Sequence, residues 1–247
     1  MLNDINIENI LFLDIETVPI VPSYAELPAV MQQLWDKKAL FIKKDESQSS
    51  AEVFDRAGIY AEFGKIVCIS VGFIFSRKKI PFVRLKSFYD SDERILLLNF
   101  GEMLRKFGQR KGALICAHNG KEFDFPYIAR RMLVNGVPLP SMLNVAGKKP
   151  WEVAFLDTME LWKFGDRKNY TSLHLLSTLF GIPTPKDDID GSMVAEVYYG
   201  QNDIKRIAVY CEKDVLTIVQ LLRKYRGEEL IPAENVERAG DSTLAES

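Results

Sequence analysis

Hydrophobic and polar residues alternate along the chain with two periods, one typical of strands and one typical of helices. Apolar runs rich in strand-forming residues begin at Asn9 and recur over residues 65–75, 80–86 and 113–117. Apolar residues at helical spacing cover residues 24–42, 92–107, 126–135 and 203–224. Because the turn-forming residues 76–79 join the second and third strands, we expect a hairpin beside the first strand. The pattern predicts one α/β domain.

The first strand ends in two acidic residues that share one face. Asp14 and Glu16 follow the apolar residues 11–13 and are separated by one residue. The period of two in a strand places both carboxylates on the same side. Two like charges at the end of a buried strand repel each other unless a cation lies between them, and oxygen ligands favour hard metals such as Mg²⁺ or Mn²⁺. The alternative is that either acid caps a loop, and an Asp-x-Glu pair alone does not identify a metal site.

A polar turn follows the strand predicted at residues 113–117. Asn119, Phe123 and Asp124 lie in this turn, shortly before Pro126. Asp124 is placed to cap the following helix, and it is also placed to enter a cleft, because open α/β sheets bind ligands beyond the carboxyl ends of their strands. These two roles are compatible. Phe123 is either a core residue or an aromatic that stacks on a base.

The helix predicted near the C-terminus carries an apolar stripe and, beside it, a polar pair. Tyr210 and Asp214 are four residues apart, so they lie one above the other on the same helical face. On an isolated helix this pair would be a solvated surface contact. Its occurrence in a chain that also has an acidic strand end and an acidic turn favours one composite site.

Composition narrows the class of protein further. The 247 residues are 47% hydrophobic, enough for a substantial core. Cys68, Cys116 and Cys211 lie in apolar stretches without C-x-x-C spacing, which favours reduced core thiols over disulfides or zinc. No apolar run has the length of a membrane span and the N-terminus does not resemble a signal peptide, so we expect a cytoplasmic protein. The net charge of −2 gives no global attraction to nucleic acid, so any attraction is local or supplied by bound metal.

Taken together, the three polar stretches resemble the three exonuclease motifs of the proofreading domain of family B DNA polymerases, within the DEDD superfamily of 3′→5′ exonucleases. The motifs, in chain order, are Asp14 with Glu16, Asn119 to Asp124, and Tyr210 with Asp214. The resemblance covers residues 9–226. In the histidine subclass a His stands five residues before the last Asp, but here that position is Val209, so the chain resembles the tyrosine (DEDDy) subclass.

The resemblance implies a ribonuclease H-like fold, with a mixed central β-sheet whose first three strands are antiparallel and which is flanked by α-helices. It implies a metal-dependent 3′→5′ exonuclease that hydrolyses DNA from single-stranded 3′ ends to nucleoside 5′-monophosphates, using two divalent metal ions, Mg²⁺ or Mn²⁺. Because the chain has no room for a polymerase domain, it resembles the stand-alone bacterial relatives of that exonuclease.

The same resemblance implies a role for each acid of the composite site. Asp14 would bridge the two metals, while Glu16 and Asp214 would complete the site that activates water. Asp124 would hold the second ion, partly through water. Tyr210 would orient the attacking water.

Substrate contacts are implied in the same way. Backbone near Glu16 and Thr17 would receive the terminal 3′-hydroxyl, and Asn119 and Phe123 would contact the last nucleotides. Two alternatives stay open at this point. A sister enzyme that trims RNA 3′ ends would use the same carboxylates, whereas a non-catalytic nucleic-acid-binding module would have no need of all four acids and the tyrosine.

Domain limits follow from where apolar residues become rare. We expect one exonuclease domain over residues 1–227 and a polar, poorly ordered tail over residues 228–247. The basic clusters at residues 77–79, 148–149 and 167–168 are either solvated surface or phosphate contacts, and the sequence does not distinguish between these roles. Oligomeric state and the role of residues 24–60 are likewise left open.

Overall fold

The computed structural model describes residues 2–45, 47–166, 170–183 and 189–239. The basic cluster at residues 167–168 and the end of the predicted polar tail, residues 240–247, lie outside this description. Within the described ranges, no helix has the length and apolar character needed to cross a bilayer.

Six strands and seven α-helices form within the described part of the chain. In chain order they are β1 (Ile10–Pro19), α1 (Ala29–Ala39), β2 (Gly64–Arg77), β3 (Ile80–Tyr89), α2 (Glu93–Phe107), β4 (Leu114–Ala117), α3 (Asp124–Val134), β5 (Phe155–Asp157), α4 (Thr158–Lys163), α5 (Leu173–Leu179), α6 (Val194–Tyr199), α7 (Ile204–Tyr225) and β6 (Val236–Arg238). The strands and helices predicted around the three polar stretches are present, with bounds shifted by a few residues.

The six strands form one mixed sheet in the order β5-β4-β1-β2-β3-β6. The strands β1, β2 and β3 are successively antiparallel, which confirms the prediction for the first three strands. Lys78 and Lys79 both have positive φ, 50° and 70°, and make the tight turn of the β2–β3 hairpin. The remaining pairings, β1 with β4, β4 with β5 and β3 with β6, are parallel.

Side chains of β1 alternate between two cores on opposite faces of the sheet. Leu11 and Leu13 pack in a cluster with residues of α2 and α3, whereas Ile10 and Phe12 pack against α7. This alternation follows from the two-residue period of a strand covered on both faces. Asp14 and Glu16 continue the even-numbered series, so their carboxylates point toward the α7 side.

A buried ion pair fixes α3 against the rest of the fold. Arg131 on α3 contacts Glu93 at the start of α2, with Nη2 to Oε2 at 2.6 Å, and donates to the carbonyl of Ala61 at 2.8 Å. Glu93 also accepts the backbone N–H of Ile66 on β2 at 2.8 Å. Because both charges have several hydrogen-bond partners, the pair orients α3 without leaving a bare buried charge.

The helix predicted over residues 24–42 is shorter than expected. A 3₁₀ turn at Tyr24–Glu26 is followed by α1, which begins only at Ala29. Pro28 lies between them, and a proline disfavours helical backbone at the residue before it. The segment has its own core around the fully buried Trp35, which packs edge-on against Phe54.

The prediction of a poorly ordered tail is wrong for residues 228–239. Residues 236–238 form β6 and pair with β3, and the backbone N–H of Ala239 donates to Leu85 at 2.8 Å. A strand at an exposed sheet edge can be ordered by its backbone hydrogen bonds, which do not require an apolar sequence. Glu237 adds ion pairs to Arg77 and Arg84 on the neighbouring hairpin.

Candidate active site

The acidic end of β1 lies under α7. The pairing of β1 with β2 shifts by one residue between Glu16 and Thr17, so a bulge follows the two acids. Glu16 is buried and Asp14 is half-buried. Single ligand atoms of Asp14, Glu16 and Cys211 lie within 4.8 Å of one another. The structure therefore brings both acids of the first motif to one point beside the third.

Asp124 and Asp214 join these two acids. Burial raises the pKa of Asp14 well above its usual range, and the charges of Asp124, Glu16 and Asp214 raise it further. Burial likewise raises the pKa of Glu16, and Asp214 is its strongest charged neighbour. Four carboxylates contributed by three elements thus share one partly buried site, where they repel one another.

Asp124 is the least exposed of the four acids. Burial raises its pKa to about 7, while hydrogen bonds from its own N–H and from the N–H of Ile15 act in the opposite direction. Its predicted capping role takes a different form, because Phe123 is the N-cap residue of α3 and Asp124 is the first helical residue. The helix begins two residues earlier than expected, and the Asp124 carboxylate accepts the N–H of Ile15 on β1.

Tyr210 contacts the acid one turn after it on α7. Burial and the nearby carboxylates raise the pKa of Tyr210 far above its usual range, and its hydroxyl hydrogen-bonds to Asp214. The phenol is therefore neutral near physiological pH and cannot act as a general base. Its hydroxyl holds Asp214 in place and retains oxygen lone pairs for a further partner.

The turn that carries Asn119 is held by Asp157 at the end of β5. The backbone N–H groups of Asn119 and Lys121 each donate to the Asp157 carboxylate at 3.0 Å. Asn119 has a left-handed backbone, with φ of 63°. Its side-chain oxygen is buried and has no hydrogen-bond partner in the part of the chain that the structure describes. That oxygen is an acceptor available to a ligand.

Thr17 and Phe123 flank the acids and meet at Tyr127. The hydroxyl of Thr17 hydrogen-bonds to Tyr127, whose own hydroxyl donates to the carbonyl of Gly58 at 2.7 Å. The rings of Phe123 and Tyr127 are 5.4 Å apart, and Phe123 is only half-buried. A Cβ added at Gly64 would lie 2.3 Å from the Tyr127 oxygen, so this close packing requires glycine there.

Two residues of the site were missed by sequence reasoning. Cys211 was assigned only to the core, yet its thiol donates to Asp14 Oδ2 at 3.4 Å. Asp157 is the last residue of a strand of three residues, which is too short to produce a periodic signal. For Cys211 a signal was present, since it directly follows Tyr210.

His118 beside Asn119 contacts Thr158 and the carbonyl of Thr171 through its two ring nitrogens, so it supports the fold.

The donor set fits hard divalent cations. All four acids offer oxygen ligands, and a bound cation would offset the burial and the repulsion that raise the pKa values of Asp14 and Glu16. The cluster has the composition expected of an acidic metal site. A separate cavity of about 900 Å³, lined by Trp162, Phe180 and Tyr225, contains none of the four acids.

Comparison with known proteins agrees with this geometry. A family described as "Predicted 3'-5' exonuclease related to the exonuclease domain of PolB" matches residues 59–230, which include the second and third motifs and not the first. A DNA polymerase of Pyrococcus glycovorans is 24% identical over 234 residues, covering 85% of this chain and 28% of the relative. The family B DNA polymerase of Pyrobaculum calidifontis has a similar structure, with a TM-score of 0.50 and 16% identity over 87% of this chain and 24% of that one.

These matches define the fold and the family. The chain spans about a quarter of the length of each polymerase. The structural similarity and the mixed six-stranded sheet confirm a ribonuclease H-like fold. Because the family model covers more than half of the sequence, the chain belongs to the family of predicted 3′→5′ exonucleases related to the exonuclease domain of PolB.

Proposed function

We propose that this 3′→5′ exonuclease degrades DNA from single-stranded 3′ ends and releases nucleoside 5′-monophosphates with the help of two divalent metal ions. The convergence of four carboxylates and one tyrosine at the end of β1 is the observation that carries this proposal. A buried acidic cluster of this kind is unfavourable without cations, and bound divalent cations can catalyse hydrolysis of a phosphodiester.

The proposed ligands are Asp14, Glu16, Asp124 and Asp214, and Mg²⁺ or Mn²⁺ fits their oxygen donors. Divalent ions, when bound, make water more acidic and offset charge on the attacking and leaving oxygens. Asp14 is assigned the bridging position because it interacts with all three other acids. Asp124, on α3, accepts the N–H of Ile15 beside the cluster and is assigned to the second ion.

Tyr210 is assigned to positioning rather than to proton transfer. A neutral phenol that donates to Asp214 keeps oxygen lone pairs with which it can accept a hydrogen bond from water. Water held in this way has a fixed orientation toward the phosphorus. The proton of that water leaves to another acceptor, because the phenol is already protonated.

Three residues around the cluster are assigned to the end of the strand. The backbone at Thr17, beside the bulge after Glu16, is assigned to the terminal 3′-hydroxyl. The unpartnered side-chain oxygen of Asn119 offers an acceptor to the last nucleotide. The half-buried ring of Phe123 offers a stacking surface for a base.

One assay tests the proposal. Purified protein is incubated with Mg²⁺ or Mn²⁺ and single-stranded DNA or RNA labelled at either end. We expect stepwise shortening of DNA from the 3′ end, abolished in Asp14→Asn, because a neutral amide cannot bridge two cations. Asp55→Asn, at an exposed position, is the matched control. Full activity of Asp14→Asn, or activity in excess chelator, would rule out the metal mechanism. Faster digestion of RNA than of DNA would identify RNA as the preferred substrate.

A further inference from the structure

The outer half of the β2–β3 hairpin carries aromatic and basic side chains on the sheet face opposite the acidic cluster. Phe73 pairs with both Leu11 and Arg84, and Phe75 pairs with Phe82. Directly paired residues share a face, so these side chains lie on the side of Leu11, whereas Asp14 lies on the other side. We call the following set the cation–aromatic face: Phe73, Phe75, Arg77, Phe82, Arg84, Lys86 and Arg110.

Cations and rings alternate across this face. The Arg77 guanidinium lies 5.1 Å from the centre of the Phe75 ring and 5.0 Å from that of Phe82, and Arg84 lies 5.1 Å from Phe75. The rings of Phe75 and Phe82 are themselves stacked at 5.6 Å. A guanidinium that rests on a ring keeps its edge N–H groups for another partner, and its own flat surface can stack on a base.

Arg110 extends the face beyond the hairpin. Its guanidinium lies 5.6 Å from the Phe73 ring and 4.8 Å from the Phe107 ring. A cavity of about 240 Å³ opens between these rings, and Arg84 and Lys86 stand at its rim. The cavity is smaller than the roughly 300–1,000 Å³ of pockets for whole small-molecule ligands, so it suits one ring of a longer partner.

The face is locally positive in a chain whose net charge is −2. Glu237 pairs with Arg77 at 2.6 Å and with Arg84 at 2.7 Å, which orients these two guanidinium groups. Among the residues that the structure describes, Lys86 and Arg110 form no ion pair, although the charge of Lys86 acts on nearby Glu102 and lowers the pKa of that carboxyl. Lys78 and Lys79, at the tip of the same hairpin, add two exposed charges.

We propose that the cation–aromatic face binds the phosphodiester backbone and bases of single-stranded nucleic acid, at nucleotides distant from the 3′ end. The choice of partner rests on the family's exonuclease activity and on the alternation of cations with rings, a combination that suits phosphates and bases more than an acidic peptide. Arg77 lies seven residues along β2 from Ser70, the partner of Asp14, which corresponds to roughly 23 Å of strand. A strand engaged at the acidic cluster must therefore be long to reach the Arg77 end of this face.

The test compares two double variants with the same change in charge. Lys86→Gln with Arg110→Gln removes the two cations of the face that form no ion pair with a described residue, and Lys37→Gln with Lys44→Gln is the control at exposed positions elsewhere. Binding is measured by fluorescence anisotropy with labelled oligo(dT) of thirty nucleotides, in chelator so that no cleavage occurs. Thermal unfolding of each variant shows that it is folded.

We expect the first variant to bind the thirty-mer roughly tenfold more weakly than wild type at about 0.1 M salt, with the slope of log affinity against log salt reduced by about 1.4, about 0.7 for each lost phosphate contact. The control variant should bind as the wild type does. Unchanged thirty-mer binding would overturn the proposal. Tighter binding of a polyglutamate peptide than of the thirty-mer would overturn it as well, in favour of an acidic protein partner.

The result of this binding test does not depend on whether the proposed active site is correct. Binding in chelator does not depend on catalysis, so a loss of affinity would stand even if Asp14→Asn retained activity. Conversely, if the variant at Lys86 and Arg110 binds normally, the assignment of the acidic cluster is unaffected.

Discussion

Asp124 gives the sharpest physical prediction, because its burial opposes its ionisation. In the folded protein its pKa is raised from 3.8 to about 7. The folded state therefore binds this proton more tightly than the unfolded state does. The contribution of Asp124 to stability is least unfavourable below about pH 4 and becomes more unfavourable as the pH rises to about 7. Metal-free protein should lose stability over this window.

Replacing Asp124 by Asn removes the charge and keeps an oxygen that can accept the Ile15 N–H. A pKa difference of about three units corresponds to ~4 kcal/mol at pH 8. This is an upper limit, because the four acids titrate together and the loss of one proton raises the pKa values of the others. In chelator, the variant should be more stable than wild type at pH 8 by up to that amount, and the gain should nearly vanish at pH 4.

Urea unfolding in chelator at pH 4, 6 and 8 measures the effect, with Asp55→Asn as the exposed control. Added Mn²⁺ should then stabilise wild type more than Asp124→Asn, because the variant has lost an anionic ligand. If Asp124→Asn is no more stable than wild type at pH 8, or if its gain does not depend on pH, the argument that burial opposes the ionisation of Asp124 is wrong.

Three further predictions address the water, the strand end and the scaffold. Tyr210→Phe should slow single-turnover cleavage roughly ten- to a thousand-fold while metal affinity by calorimetry is retained, since one positioned hydrogen bond is lost; a wild-type rate would remove Tyr210 from the site. Strands with a 3′-phosphate or closed into circles should resist digestion on a gel, and rapid nicking of circles would indicate an endonuclease. Arg131→Met should lower the free energy of unfolding by ~3–5 kcal/mol, because it leaves Glu93 buried and unpaired. Adding Glu93→Leu to this variant should recover much of the lost stability. An Arg131→Met variant as stable as wild type would refute the prediction.

Local patterns in the sequence were sufficient for the central elements. The period of two around Asp14 and Glu16 placed both acids on one face, and the four-residue spacing of Tyr210 and Asp214 placed them one turn apart. Both relations are fixed by the geometry of a single strand or helix. The hairpin was predictable for the same reason, since a short polar turn joins two adjacent strands. That the four acids act as metal ligands stays a prediction.

Contacts between distant segments were decided by the tertiary structure. Cys211 lies next to Asp14 only because α7 packs across β1, and Asp157 holds the Asn119 turn only because β5 lies beside β4. The parallel pairing of β6 with β3 ordered a segment that its polar composition suggested would be disordered.

The cation–aromatic face shows most clearly which relations between residues are local and which depend on the tertiary structure. In the sequence, nothing distinguished residues 77–79 from the two other basic clusters as a phosphate contact, and Arg110 belonged to none of the three. Pairing of β2 with β3 stacks Phe75 on Phe82, and the end of α2 brings Arg110 over Phe73. The sequence by itself determined which residues each strand and helix presents on a face, because that depends on local periodicity. Which faces meet depends on burial of apolar area between elements far apart in the chain, and only the folded structure decides it.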